Sequence, residues 1–281
     1  MISERKTENG LTFIDIETSS CTASLCLQGA HLTSWIPTGQ RDCFFISPLE
    51  TYLPGKAIRG GVPLCWPWFG KKKNLPSHGV ARTSIWTLDH CSEDNDTHTV
   101  SISLRLCPDD ESLPMAFLRL RLGTTLQMSL QTTARHEPCT LANAFHNYFS
   151  VGDVTQCRLF GLEDVAFEEF AVKAIPHGKP HVPVVPLCPI DRIYSMPHHN
   201  GLVRLDDLAM GRSIEIHREG ASSIVVWNPW DEGAISINDL NDEGWRDFFC
   251  VETANTQPNE LKLAPGQSHC LKQSIQIMPL I

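Results

Sequence analysis

Residues 118–130 read LRLRLGTTLQMSL and carry the clearest strand pattern in the chain. Apolar residues recur at every second position on both sides of the GTT interruption, with polar or charged residues between most of them. A period of two places the apolar side chains on one face of a β-strand and the polar ones on the other. The stretch therefore predicts a strand or a hairpin with one buried face and one solvated face.

The same alternation recurs in residues 104–106, 214–217 and 271–277. Residues 223–227 and 248–251 are continuous apolar or aromatic runs, which are typical of central strands covered on both faces. No segment longer than two turns has apolar residues at helical spacing, and nineteen prolines with eighteen glycines interrupt the chain too often for long helices. The sequence predicts an all-β protein that begins and ends in strands.

The length of 281 residues suits one large β-sandwich, and we predict a single domain over residues 1–281. The proline-rich residues 176–197 could form a linker, but strand patterns resume after them, so we interpret them as a long excursion from one sandwich. No apolar run has the length of a signal peptide or a membrane span. We expect a cytoplasmic protein with no membrane partner.

The net charge and the cysteine and histidine content limit the ligands that the protein is expected to bind. The net charge of −9 argues against binding to nucleic acid, which needs a basic face. Eleven scattered cysteines, an odd number without CxxC spacing, indicate reduced core thiols, including Cys107 and Cys188. The twelve histidines show no HExxH or zinc-finger spacing, so neither a metal nor another cofactor is predicted.

Residues 58–70, IRGGVPLCWPWFG, and residues 77–82, SHGVAR, are poor material for a regular strand. Their glycines and aromatic residues suit a loop close to a ligand, although the composition fits a packed β-corner equally well. Arg59 and Arg82 favour a ligand site, because a guanidinium can clamp a phosphate or carboxylate with two hydrogen bonds. Residues 71–73 (Lys71, Lys72 and Lys73) are interpreted as a solvated loop, and whether they help to bind phosphate stays open.

Two further segments place a titratable residue among apolar ones. His146 lies within TLANAFHNYF at 140–149, where a histidine is more often a hydrogen-bonded core residue than a catalyst. Glu252 follows four apolar residues in FFCVETAN at 248–255. An unpaired carboxylate is costly to bury, so this glutamate is expected to be paired, solvated at a strand end, or functional with a raised pKa.

Taken together, the unusual segments resemble the hexose-6-phosphate mutarotases, also called glucose-6-phosphate 1-epimerases, a branch of the aldose 1-epimerase superfamily. The resemblance covers nearly the whole chain in order and spacing. Its motifs are GAHLTSW at 29–35, IRGGVPLCWPWFG at 58–70, HGVAR at 78–82, FHNYF at 145–149, DRIY at 191–194, VVWNPW at 225–230 and VETA at 251–254.

The resemblance implies a large antiparallel β-sandwich of the galactose mutarotase type, with an open cleft on one sheet. It also implies a cofactor-free enzyme, expected to be a monomer, that interconverts the α and β anomers of a hexose 6-phosphate. By position, His146 is similar to the family's histidine near the ring oxygen, and Glu252 to the glutamate that takes the proton from the anomeric hydroxyl. For this chemistry at neutral pH, Glu252 must be ionised while part of the His146 population is protonated.

The remaining site residues are also implied by the resemblance. His78 and Asp191 are similar to a supporting histidine and a substrate-orienting aspartate, while Arg59 and Arg82 are similar to the arginines that hold the 6-phosphate.

This chain departs from many relatives at Phe145, where they have leucine or methionine, and at Thr253, where they have proline. These departures put the substrate preference in doubt more than the mechanism. Two other functions fit parts of the pattern. A glycoside hydrolase would use Asp191 and Glu252 as its flanking carboxylates, and a sugar-phosphate-binding protein could keep the cleft without catalysis.

Overall fold

The computed structural model describes residues 1–172, 177–196 and 198–280. Strands dominate these residues, with a few short helical turns between them. The strands are β1 Ile2–Lys6, β2 Thr12–Glu17, β3 Cys21–Cys26, β4 His31–Pro37, β5 Leu64–Cys65, β6 Thr87–Asp94, β7 Thr99–Leu106, β8 Met115–Leu122, β9 Thr125–Thr133, β10 Cys139–Leu141, β11 Asn143–Phe145, β12 Tyr148–Ser150, β13 Cys157–Phe160, β14 Phe167–Glu169, β15 His177–Gly178, β16 Ile190–Ser195, β17 Gly201–Asp207, β18 Arg212–Glu219, β19 Ser223–Asn228, β20 Phe248–Asn255, β21 Leu261–Leu263 and β22 Ser268–Pro279. The helical segments are α1 Trp230–Ile235 and three 3₁₀ turns, Ala81–Thr83, Val154–Gln156 and Gly244–Asp247.

The strands form two eight-stranded sheets and two small ones, and neighbouring strands pair in antiparallel fashion. The front sheet has the order β15-β14-β16-β19-β20-β11-β5, with β12 also pairing with β20. The back sheet has the order β13-β17-β18-β22-β9-β8-β7-β6. The small sheets are β1-β2-β3-β4 and β10-β21. None of the described helices has the length and apolarity needed to cross a membrane.

The stretch LRLRLGTTLQMSL forms parts of β8 and β9 in the back sheet. Leu118 pairs with Leu130 and Leu122 with Leu126, and these leucines are buried while Arg119 and Arg121 point to solvent. The prediction of a hairpin with one buried face is confirmed.

The runs predicted to be central strands are β19 and β20, which lie side by side in the middle of the front sheet. All eight residues of β20 are buried. Along this strand Phe249 and Val251 face the back sheet, whereas Cys250 and Glu252 face the opposite side. One strand therefore supplies both the core between the sheets and the outward face of the front sheet. The predicted all-β antiparallel sandwich is confirmed.

Two cysteines and the proline-rich stretch differ in part from the predictions. Cys107 and Cys188 are exposed, so the prediction of core thiols is wrong for them, because both lie in loops outside the strands. Of the proline-rich stretch, Pro176 and Pro197 lie outside the described residues. Its described part contributes β15 and β16 to the front sheet.

The loop segments 58–70 and 77–82 meet through their backbones. The Trp66 amide donates to the carbonyl oxygen of His78, and the Trp66 carbonyl oxygen accepts from Val80. Gly79 has φ of 82°, and a Cβ there would overlap the Trp66 carbonyl oxygen. A β-corner packed this closely leaves no room for a side chain. The corner interpretation thus holds for the glycines, while neighbouring side chains are free for another role.

We predict that Gly79→Ala destabilises the protein much more than Gly39→Ala. Gly39 has a similar φ of 80°, but no atom lies within 4 Å of the place that an added methyl group would occupy. Gly39→Ala, the control, should lower the free energy of unfolding by about 1–2 kcal/mol, because alanine disfavours the left-handed backbone conformation. Overlap with Trp66 should add about 1–3 kcal/mol at Gly79. Denaturant unfolding measures both variants, and equal losses would contradict the close backbone approach.

Candidate active site

The centre of the front sheet brings His146 and Glu252 together. Phe145 pairs with Thr253 and Tyr148 pairs with Cys250, so His146 lies opposite Glu252 in the same antiparallel register. Residues directly opposite each other in a sheet project their side chains from the same face. The His146 Nε2 atom lies 3.3 Å from Glu252 Oε1.

The backbone ladder is interrupted where His146 sits. The His146 amide donates to the Pro63 carbonyl oxygen instead of to β20. The Asn147 side chain fills part of the gap, since its Nδ2 donates to the Val251 carbonyl oxygen at 2.9 Å. Asn147 also forms a reciprocal amide pair with Gln273 of the back sheet, at 3.0 and 2.8 Å. These contacts fix the position of His146 from the core side.

Burial dominates the electrostatics of the pair. Glu252 is 1% exposed and His146 is 8% exposed. Burial raises the pKa of Glu252 well above its usual value, and the nearby charge of Asp191 adds to this. Burial lowers the pKa of His146 well below its usual value, with further lowering by His78, Arg82 and Arg59. Both directions oppose the ionised state expected from the sequence. However, the neutral pair and the ion pair contain the same number of protons and differ only in which side chain holds one of them.

Two polar atoms of the pair lack a hydrogen-bond partner among the described residues, His146 Nδ1 and Glu252 Oε2. A buried polar atom left without a partner typically costs about 1–3 kcal/mol. Such atoms are rare in native proteins, and a catalytic role is one of the explanations for them. Burial of the pair therefore lowers the stability of the folded protein, which favours a chemical role for the two residues over a structural one.

Aromatic side chains surround the pair. The Tyr148 ring stacks on the His146 imidazole with ring centroids 4.8 Å apart and an interplanar angle of 13°. The Trp227 ring approaches His146 edge-on at 6.0 Å. Neither residue is among the site residues predicted from the sequence. Tyr148 follows His146 by two positions, so strand periodicity would have placed it on the same face.

His78 lies beside the pair, with its ring 5.8 Å from that of His146. Its Nδ1 is 3.2 Å from the Cys65 sulfur and 3.4 Å from the Gly70 amide. Burial, with the charges of the two arginines, lowers the pKa of His78 to about 4. Because Nδ1 faces these donors, the neutral ring carries its proton on Nε2, which makes Nε2 a hydrogen-bond donor.

Asp191 lies on the same face of the front sheet, on β16. It pairs with Trp227 of β19, which in turn pairs with Cys250 of β20. Two strand spacings, roughly 10 Å, therefore separate Asp191 from the strand of Glu252. Burial raises the pKa of Asp191 to about 6, and the charge of Glu169 adds to the shift. Above that pH its carboxylate can accept hydrogen bonds from sugar hydroxyls.

The two arginines differ in their partners. Arg59 donates from Nε and Nη2 to the Asp239 carboxylate at 2.9 and 3.4 Å, and from Nη1 to the Tyr148 hydroxyl at 2.9 Å. Arg82 donates from Nη2 to the Ser77 carbonyl oxygen at 2.8 Å. No carboxylate of the described residues lies within 4.0 Å of the Arg82 guanidinium. Among the described residues, Arg82 is therefore a cation without a paired anion, whereas Asp239 already balances the charge of Arg59.

The three consecutive lysines after residues 58–70 lie at the surface. Lys71, Lys72 and Lys73 are exposed, and the Lys72 ammonium lies 5.7 Å from the centre of the Trp68 ring. Within the described ranges, no group of three histidine, cysteine or acidic side chains has the geometry of a metal site. A separate groove of about 560 Å³ lies on the back sheet, and none of the predicted site residues lines it.

The solved structures that share this fold include proteins described as mutarotases or epimerases. The galactose 1-epimerase of Lactobacillus acidophilus NCFM is 14% identical, with a TM-score of 0.72 over 99% of this chain and 98% of the other, which shows a shared galactose mutarotase-type fold. A crystal structure from Salmonella typhimurium, described as a "putative mutarotase", is 30% identical, with a TM-score of 0.90 over 99% of this chain and 94% of its own.

The chain belongs to the aldose 1-epimerase family, which matches residues 13–276. An Escherichia coli K12 protein named "Putative glucose-6-phosphate 1-epimerase" is 33% identical over 99% of this chain and 94% of its own length. A protein of the same name from the plant Cenchrus ciliaris is 30% identical over 93% and 83%. The protein is therefore a sugar epimerase, an isomerase that acts on a small carbohydrate, and the predicted family is confirmed.

We predict that Glu252→Gln stabilises the fold at alkaline pH. A carboxyl whose folded-state pKa is raised contributes stability below its unfolded value near 4.5 and loses it as pH rises through the folded value. Glutamine removes this loss, so the free energy of unfolding of the variant should exceed that of the wild type at pH 8. The difference should shrink towards pH 4.5.

Urea unfolding at the two pH values measures this effect. Glu168→Gln, an exposed position on β14, removes the same charge from the surface and serves as the control. An equal change in the free energy of unfolding of both variants would show that burial does not raise the pKa of Glu252.

Proposed function

We propose that this protein interconverts the α and β anomers of a hexose 6-phosphate, with glucose 6-phosphate as the first candidate. The observation that carries the proposal is the facing pair of His146 and Glu252, 3.3 Å apart at the centre of the front sheet. The names of the relatives from E. coli and Cenchrus ciliaris support the choice of substrate. We further propose that residues 1–281 act as one monomeric domain.

In the proposed reaction, Glu252 takes the proton from the O1 hydroxyl while His146 gives a proton to the ring oxygen O5. The C1–O5 bond breaks, O1 becomes the aldehyde oxygen, and C1 turns about the C1–C2 bond. When O5 attacks the other face of the aldehyde, His146 takes back its proton and Glu252 returns one to O1. Each turnover restores the starting proton content of the pair.

The surrounding side chains have matching roles in binding. The Nε2–H of His78 can donate to a sugar oxygen. The Asp191 carboxylate, two strands away from Glu252 on the same face of the sheet, can accept hydrogen bonds from sugar hydroxyl groups. Arg82 supplies the positive charge that a 6-phosphate needs in a protein with a net charge of −9. Holding the phosphate orients the ring at a distance from the reacting bond.

We predict that His146→Asn and Glu252→Gln each lower kcat by at least about 10²-fold, since each removes one acid–base group. NMR exchange spectroscopy on α- and β-glucose 6-phosphate measures the rate after the spontaneous reaction is subtracted. Glu168→Gln should retain the wild-type rate. Full activity in either site variant would remove that residue from the mechanism.

The pH dependence of kcat/KM should be bell-shaped. Activity falls at acid pH when the pair gains a second proton, and at alkaline pH when it loses the proton that its members share. Because burial lowers the pKa of His146, the acid limb should lie below pH 6.5. A pH profile of initial rates measures both limbs, and a profile independent of pH would contradict proton transfer by this pair.

We predict that Arg82→Ala raises KM for glucose 6-phosphate by at least about tenfold, because a charge-assisted hydrogen bond is worth roughly 1.5–3 kcal/mol. KM for free glucose should change little. Arg121→Ala, on the outer face of the back sheet, removes the same charge away from the site and is the control. Equal effects on both sugars would assign Arg82 a structural role.

A further inference from the structure

All three nitrogens of the Arg59 guanidinium already donate hydrogen bonds to other side chains. The edge formed by Nε and Nη2 holds both oxygens of the Asp239 carboxylate. The remaining nitrogen, Nη1, donates to the Tyr148 hydroxyl, and the Tyr148 ring stacks on His146. A phosphoryl group can reach the Nε and Nη2 edge of Arg59 only if it replaces Asp239.

The ion pair between Arg59 and Asp239 is suited to such an exchange. The side chains are 27% and 42% exposed, respectively. An ion pair with this exposure contributes little to stability, because water and salt screen it. A carboxylate and a phosphate bind the same guanidinium edge with two parallel hydrogen bonds, and the phosphate carries the larger negative charge near neutral pH.

Asp239 belongs to an acidic segment, residues 230–247, that follows β19. Leu240 and Trp245 anchor this segment through burial. The segment contains one arginine, Arg246, against six acidic residues, which are Asp231, Glu232, Asp239, Asp242, Glu243 and Asp247. Of these six, Asp239 is the one that forms a salt bridge with Arg59 among the described residues.

We propose that Asp239 is an internal competitor for the substrate's phosphoryl group, which displaces its carboxylate from Arg59 on binding. This inference rests on the proposed function. A neutral hexose carries no anion that can replace Asp239, so the exchange affects the binding of phosphorylated sugars and not that of free sugars. The bond from Nη1 to Tyr148 lies on the other side of the guanidinium, so Tyr148 keeps its place against His146 during the exchange.

The test measures the Kd of inorganic phosphate by isothermal titration calorimetry at pH 7.5 and constant ionic strength. Asp239→Asn should lower this Kd about two- to fivefold, the range expected when a weak, partly exposed ion pair is removed. It should lower KM for glucose 6-phosphate in parallel and leave KM for free glucose unchanged. Asp242→Asn changes the same charge in the same segment and should leave the Kd unchanged. In a protein that already carries Arg59→Ala, adding Asp239→Asn should not lower the Kd of phosphate.

Three results would overturn the inference. These are an unchanged phosphate Kd in Asp239→Asn, an equal gain in Asp242→Asn, or a gain that survives the loss of Arg59. The proposed function fails separately, if the wild type does not accelerate anomer exchange of any hexose 6-phosphate. Thermal unfolding checks that each variant is folded, so a lost effect cannot be confused with a lost structure.

Discussion

The contact between His146 and Glu252 is the constraint to which the rest of the structure is fitted. Two titratable side chains occupy the centre of an eight-stranded sheet, where each loses most of its hydration. Burial therefore makes ionisation of either side chain unfavourable. A site this costly needs a large core to support it, and the two packed sheets provide one. The amide pair of Asn147 and Gln273 joins those sheets directly behind His146, so the geometry of the site depends on the packing of the whole sandwich.

Strand alternation couples stability to function at the level of single residues. On β20, Phe249 and Val251 build the core, while Glu252 between Val251 and Thr253 faces the site. A shift of one residue in the register would move Glu252 into the core and a core residue into the site. The pairing of β20 with β19 on one side and with β11 and β12 on the other prevents this shift. The same hydrogen bonds therefore stabilise the sheet and align His146 with Glu252.

Periodicity predicts the strands well because burial imposes it locally, as the hairpin of β8 and β9 illustrates. It cannot predict which strands become neighbours. His146 and Glu252 came together in the sequence analysis through family resemblance, not through spacing, because their register depends on pairings distant in the chain. Tyr148 could have been found from its position two residues after His146. Asp239 could not, because an acidic residue in an acidic loop resembles ordinary solvated surface until the fold brings it to Arg59.

The proposed proton transfer is compatible with the burial of the pair. Burial penalises any change in the net charge of the pair, but moving one proton between Glu252 and His146 leaves that net charge unchanged. Ring opening needs only this kind of step, since one proton leaves O1 as another reaches O5. In the proposed function, the charge of the substrate is balanced by the arginines and not by the pair: Arg82 lacks a carboxylate partner among the described residues, and Arg59 is balanced by Asp239. Under the proposed function, the site separates two tasks: proton exchange without a change of net charge at the buried pair, and recognition of the substrate's charge by the more exposed arginines.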